Sequence, residues 1–190
     1  MTADRPLDRA LRALRQGRIV AYPTDTLVGL GVLAGRPAAV ERLRALKGRP
    51  EGPPFSVMLS SFEEVEAWAE LSPSARATLR RLLPGPYTLL LPASRKARAS
   101  WPVGIVAEDG RIGVRIPDHP IARALARIAG AVTSTSANLH GAPPARSTGE
   151  ARRRFGRAVS IYLSGAPNPS GRPSTLVDLS RPRARFLGRR

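Results

Sequence analysis

The chain has 190 residues, 42% of them apolar and 24% charged, which suits one soluble domain with a sizeable core of its own. Cysteine is absent, so disulfides, thiol nucleophiles and cysteine-ligated metals are excluded. Lys plus Arg number 31 against 14 Asp plus Glu, a net charge of +17 that favours polyanionic partners.

In chain order, Leu7, Ala10, Leu11 and Leu14 recur at helical spacing, with Asp4 placed to cap the start and Gly17 to end the helix. A short apolar run, Ile19 to Tyr22, stops at Pro23 and predicts a buried strand. Pro37 opens a second helix with Val40, Leu43 and Leu46 on its face, and Phe55 to Leu59 reads as the next strand. Ser61 with Glu64 three residues on is a capping box for a helix through Val65 and Trp68, and Ser72-Pro73 starts another. Strands are expected at Tyr87 to Leu91, Ile112 to Ile116, Ala131 to Thr135, Val159 to Leu163, Thr175 to Leu179 and Ala184 to Leu187. Helices are expected at Ile121 to Ile128 and Thr148 to Phe155, and the longest loops at 93–110 and 164–173. This alternation, broken by strand-to-strand steps, predicts an α+β (mixed α/β) fold with a twisted mixed parallel and antiparallel sheet flanked by helices. One domain over 1–190 is expected, with a short basic end at 181–190. No apolar run is long enough for a membrane span and no signal segment opens the chain, so a cytoplasmic location is expected.

Several sites are ruled out by pattern. No Walker A loop is present, and Gly29, Gly31 and Gly35 miss the dinucleotide fingerprint by one residue. His119 and His140 lack the spacing of a zinc pair, and no Gly-x-Ser-x-Gly elbow supports a serine nucleophile. Three polar segments remain beside buried strands. Tyr22-Pro23-Thr24-Asp25-Thr26 runs into glycines, offering hydroxyls and backbone N–H groups, or simply a capped turn. In Lys47-Gly48-Arg49-Pro50, alternate residues of an extended loop aim two cations at one anion, or the segment is an ordinary basic helix end. Ser134 to Gly141 reads as a ligand-binding turn or as a polar loop. The chain is rich in Arg, Ala, Pro and Gly, as GC-biased coding produces, and keeps two lysines (Lys47, Lys96) and two asparagines (Asn138, Asn168). Lys47 and Asn138 are thus candidates for positions where a substitute fails.

Taken together, PTDTLVGLG at 23–31, KGRP at 47–50, PGPYTLLLP at 84–92, VRIPDHP at 114–120, TSANLHGAPP at 135–144 and STLVD at 174–178 form an ordered set. The chain resembles the YrdC-like family of L-threonylcarbamoyladenylate synthases, from about Gly17 to Asp178. The resemblance implies a YrdC-like (DHBP synthase-like) fold. It implies a nucleotidyltransferase that joins L-threonine, bicarbonate and ATP, with Mg2+ on the ATP phosphates and no protein-held metal, for threonylcarbamoylation of adenosine in tRNA. By motif position, Lys47, Arg49, Ser136 and Asn138 are the expected catalytic residues and Lys47, Arg49 and Asn138 the expected ATP ligands, with Arg146, just beyond the 135–144 segment, a further expected ATP ligand. Thr26, Arg115, Ser136 and Ser174 are expected to hold L-threonine. The family often has Tyr at the place of Val28 and His at that of Met58, and Pro53-Pro54 replaces a polar residue followed by Pro, which bears on the amino-acid pocket. The further C-terminal domain of some relatives is not expected. The arginines of the basic end point to tRNA or the tRNA-modifying partner enzyme, or to a merely solvated tail. The competing readings are a non-catalytic RNA binder of the same fold, and a hydrogenase-maturation module using carbamoyl phosphate.

Overall fold

The computed structural model describes residues 5–48, 52–165, 171–181 and 183–189. Its elements are α1 (Pro6–Arg15), β1 (Val20–Tyr22), β2 (Gly29–Gly31), α2 (Pro37–Lys47), β3 (Ser56–Met58), α3 (Phe62–Trp68), α4 (Pro73–Leu82) and β4 (Tyr87–Pro92). They continue with α5 (Arg95–Ser100), β5 (Arg111–Arg115), α6 (Pro120–Ala129), β6 (Val132–Ser136), α7 (Thr148–Phe155), β7 (Ile161–Tyr162), β8 (Thr175–Asp178) and β9 (Arg185–Arg189).

Local chemistry sets the helix starts. Proline occupies the first turn of α1, α2, α4 and α6, where its missing N–H costs nothing. Ser61, Ser72, Ser94 and Ser147 cap α3, α4, α5 and α7, each accepting the backbone N–H three residues on. The Glu64 carboxylate reaches back to the Ser60 N–H at 2.6 Å, one residue earlier than an ideal capping box. Asp4 lies outside the described residues. The segment 93–110, expected as loop, contains α5. The helix has six residues, fewer than two turns, too short for periodicity to register. The glycines that follow Thr26 form β2, the expected strand 159–163 is shortened to 161–162, and the last strand lies at 185–189 in place of 184–187.

The strands form one sheet in the order β7-β1-β2-β6-β3-β5-β4-β8-β9. Pairs β1–β7, β3–β5 and β4–β8 are parallel and the rest antiparallel. Residues in register share a face, and alternate residues along a strand change face. One face carries Ala21, Leu30, Val57, Val114, Leu89 and Val177, which join the main core with Val40 and Leu43 of α2, Val65 of α3, Leu79 of α4, Ala97 of α5 and Phe155 of α7. Among the described residues, the opposite face is covered only at one end. There Val20, Tyr22, Val132 and Met58 pack beneath Leu14 of α1 and Ala122, Leu125 and Ala126 of α6. Further along that face, Ser56, Ser134, Ser136, Gly113, Arg115, Thr88 and Leu90 remain uncovered and floor a cleft.

Two glycines let this face close tightly. A Cβ on Gly31 would lie 2.6 Å from Val132 Cγ1 and 2.8 Å from the Thr133 carbonyl, and one on Gly29 would lie 2.8 Å from the Tyr22 ring. Gly31→Ala is expected to cost about 3 kcal/mol, the upper end of overpacking penalties, because a backbone atom stands in the way. A denaturant midpoint shift at constant m-value measures it. Among the described residues no helix is long and apolar enough to cross a membrane.

Candidate active site

The open half-face bounds a cleft of about 440 Å3. At one end Lys47, the last residue of α2, is 3% exposed. Gly48 then leaves the helix at φ 65°, so a helix end, not an extended loop, places this lysine. A buried ammonium needs acceptors, and the loop after β6 supplies them. Lys47 Nζ donates to the Ser136 carbonyl (2.6 Å), the Asn138 carbonyl (2.9 Å) and Asn138 Oδ1 (3.3 Å). Ser136 Oγ donates to the same Oδ1 at 2.5 Å, while Asn138 Nδ2 donates to the carbonyls of Leu139 and Ala142. This network fixes the amide orientation. The His140 N–H bonds the Lys47 carbonyl, so loop and helix end lock together at the cleft mouth.

Toward the sheet centre, Arg115 ends β5 and is 6% exposed. Its Nη2 donates to Asp25 Oδ1 at 2.7 Å and its Nη1 to Thr26 Oγ1 at 3.1 Å. Burial lowers the Arg115 pKa, opposed by the charge of Asp25. Arg115 Nε and Asp25 Oδ2 are buried without a partner. Thr24 organises the turn: its Oγ1 accepts the N–H groups of Thr26 and Leu27 and donates to the Leu27 carbonyl.

On the far wall, Thr88 and Ser174 share a hydrogen bond of 2.8 Å between β4 and the residue before β8. Beside them Arg111 bridges Asp178 at 3.0 Å and Asp109 at 2.7 Å. Burial acts to raise the Asp178 pKa, but the Ser180 hydroxyl and N–H and the Arg111 charge prevail and lower it. A depressed carboxylate contributes stability that is complete above its unfolded value and lost as pH falls through its folded value. Stability is therefore expected to drop on acidification below about pH 4, and less steeply in Asp178→Asn. Urea midpoints across pH 2.5–6 (roughly the carboxylate range) check this.

Six of the eight residues singled out in the sequence, Lys47, Ser136, Asn138, Thr26, Arg115 and Ser174, line this one cleft. Arg49 falls outside the described residues. Arg146 is exposed beside the α7 cap, its N–H bonded to Glu150, and does not line the cleft. Val28 lines it, whereas Met58 is wholly buried beneath α1 and α6, so only one of those two departures touches the site. Thr24, Asp25, Thr88 and Arg111 were not singled out as site residues. The signal for Thr88 was a lone hydroxyl inside the apolar run Tyr87 to Leu91, and for Asp25 its place between two threonines. Among the described residues no three His, Asp or Glu side chains gather as a metal site.

Fold and cleft define a class: a mixed sheet with half of one face left open as a polar cleft, holding a buried lysine and a buried arginine. Residues 12–189 match the Sua5/YciO/YrdC family model, whose description is "Telomere recombination", and the chain belongs to that family. A relative from Chromohalobacter salexigens, named Threonylcarbamoyl-AMP synthase, is 41% identical over 180 residues, 94% of either chain. The structure of P. abyssi Sua5 complexed with L-threonine superposes with a TM-score of 0.85 at 33% identity, covering 94% of this chain and 52% of that one. This chain thus spans about half the length of that Sua5. Full-length HypF in its phosphate- and nucleotide-bound form gives a TM-score of 0.81 at 25% identity, covering 96% of this chain and 28% of the other.

Proposed function

We propose that this chain is a nucleotidyltransferase that makes threonylcarbamoyl-AMP from L-threonine, bicarbonate and ATP, releasing pyrophosphate and water, for threonylcarbamoylation of adenosine in tRNA. The observation that carries the reading is the pair of buried cations, Lys47 and Arg115, facing one cleft from separate walls. The name of the relative covering 94% of the chain and the L-threonine in the Sua5 structure support it.

In this reading Arg115 takes the amino-acid carboxylate, with Thr26 and Ser174 beside it. The amine adds to the carbon of bicarbonate or carbon dioxide, giving a carbamate. A carbamate oxygen attacks the α-phosphorus of ATP, and the bond to the β-phosphate bridging oxygen breaks as pyrophosphate leaves. Lys47, Ser136 and Asn138 stand at the phosphates, with Arg49 joining them by motif position. Their task is to hold and neutralise the charge that spreads over the phosphate oxygens. No covalent nucleophile on the protein is required. Magnesium would arrive on the ATP phosphates and would supply charge neutralisation there, beside Lys47, Ser136 and Asn138. The enzyme would work in the cytoplasm, where ATP and tRNA are found.

The tRNA side of the reading draws on charge. Besides the basic end, a groove between α1 and β7 is lined by Arg9, Arg152 and Arg157, with the Arg152 guanidinium 5.0 Å over the Tyr162 ring. Such arginines suit phosphate and base contacts.

Pyrophosphate release from Mg-ATP, with L-threonine and bicarbonate added singly and together, tests the proposal. Release that needs both co-substrates is expected. Salt-sensitive tRNA binding without any release would favour the RNA-binder reading instead.

A further inference from the structure

One turn before Lys47, α2 buries a second cation. Arg44 is 7% exposed, and its Nη1 donates to the Gly52 carbonyl at 2.7 Å. Its guanidinium lies 5.4 Å from the centroid of the Phe55 ring, which is itself fully buried. Glu41 approaches Arg44 Nε at 3.8 Å, but its side chain is 67% exposed, so water screens that pair. A third segment closes on the same head. The Gly104 carbonyl accepts the Phe55 N–H at 2.8 Å, and a Cβ on Gly104 would lie 3.3 Å from both Nε and Nη2 of Arg44. Arg44 thus joins α2, the segment entering β3 and the loop after α5 at one point. It does not line the cleft itself, whereas Lys47 and the segment Pro53 to Ser56 do.

Burying a guanidinium is costly, and an aliphatic side chain would fill the space without that cost. What an aliphatic group cannot do is bond the Gly52 carbonyl while a flat cationic face stacks on Phe55. Residues three apart on a helix are neighbours, so a fixed Arg44 also fixes the helix end that carries Lys47. We propose that Arg44 is a positioning residue for the triphosphate: it ties the Lys47 end of α2 to the 52–56 segment and so sets the width of the cleft where the phosphates lie. Arg44 touches no substrate and acts through Lys47 and that segment. The inference rests on the phosphate role of Lys47 in the proposed function.

The test is calorimetric titration of Mg-ATP and, separately, of L-threonine, so that binding is read apart from turnover. Arg44→Met keeps most of the stem and removes the donor and the flat head. It is expected to weaken Mg-ATP binding by about 10-fold, the scale of one lost hydrogen bond to a charged group. L-Threonine binding should stay within about 2-fold, as for a site distant from the change. Gly104→Ala separates position from charge. Its Cβ would press on Arg44 and on Val40 Cγ1, 2.7 Å away, while the guanidinium charge and every residue lining the cleft stay the same. The same pattern, weakened Mg-ATP and intact L-threonine, is expected there. Unchanged Mg-ATP affinity in either folded variant, or an equal loss for L-threonine, would overturn the role. Should the methionine variant fail to fold, Gly104→Ala decides by the same two readings. The expected binding shifts without any pyrophosphate release from the parent would count against the adenylation reading alone.

Discussion

Lys47→Met is expected to lower pyrophosphate release by about 100- to 1000-fold, the scale of removing one preorganised charge from a transition state. The ammonium is the only side-chain cation described at that end of the cleft within bonding distance of the Ser136–Asn138 loop. Its three donors are all engaged by protein oxygens, so triphosphate entry must exchange at least one of them for a phosphate oxygen. Removal therefore has a second consequence that the motif alone does not convey. The Ser136 and Asn138 carbonyls lose a buried donor, at a cost of about 1–3 kcal/mol for each group left unsatisfied. The loop is expected to loosen while the rest of the fold holds, visible as faster amide exchange over 136–142 with an unchanged far-ultraviolet spectrum. Lys47→Arg should not rescue activity, because a planar fork does not reproduce three bonds converging on one nitrogen.

Arg115→Met should cost about 3–5 kcal/mol of stability, because it strands the Asp25 carboxylate in a buried site. Asp25 is 11% exposed at its side chain, and its second oxygen already lacks a partner. The double variant Arg115→Met with Asp25→Asn is expected to recover most of that stability but none of the L-threonine-dependent turnover. That separation distinguishes a cation kept for the substrate from one kept for the fold. Denaturant midpoints and pyrophosphate release on the two single variants and the double form the required cycle.

The sequence conveyed elements better than their arrangement. Apolar runs and Ser or Pro starts marked nearly every helix and the central strands, because those signals are local. The segment 95–100 reads as loop because six residues, fewer than two turns, leave no measurable period. Gly29 and Gly31 stand in the sequence as bare backbone beside a polar segment, whereas they serve close packing against Tyr22 and Val132, which only the sheet reveals. The site residues were reached through the six ordered segments, since each segment alone reads equally well as a cap or a basic helix end. What sequence spacing could not carry is the pairing across the sheet. Asp25 meets Arg115 across 90 residues, and Thr88 meets Ser174 across 86. The second contact follows from β8 pairing parallel to β4, and the first brings the turn between β1 and β2 to the end of β5, three strands from β2 in the sheet; neither arrangement has a local signature.

The most direct measurement is mass spectrometry of the products formed from Mg-ATP, L-threonine and carbon-13 bicarbonate. The account predicts an adduct of AMP and threonine that carries the label in its carbamoyl carbon, formed in step with pyrophosphate. AMP or ADP without a labelled threonine adduct, from protein that binds both substrates, would contradict it.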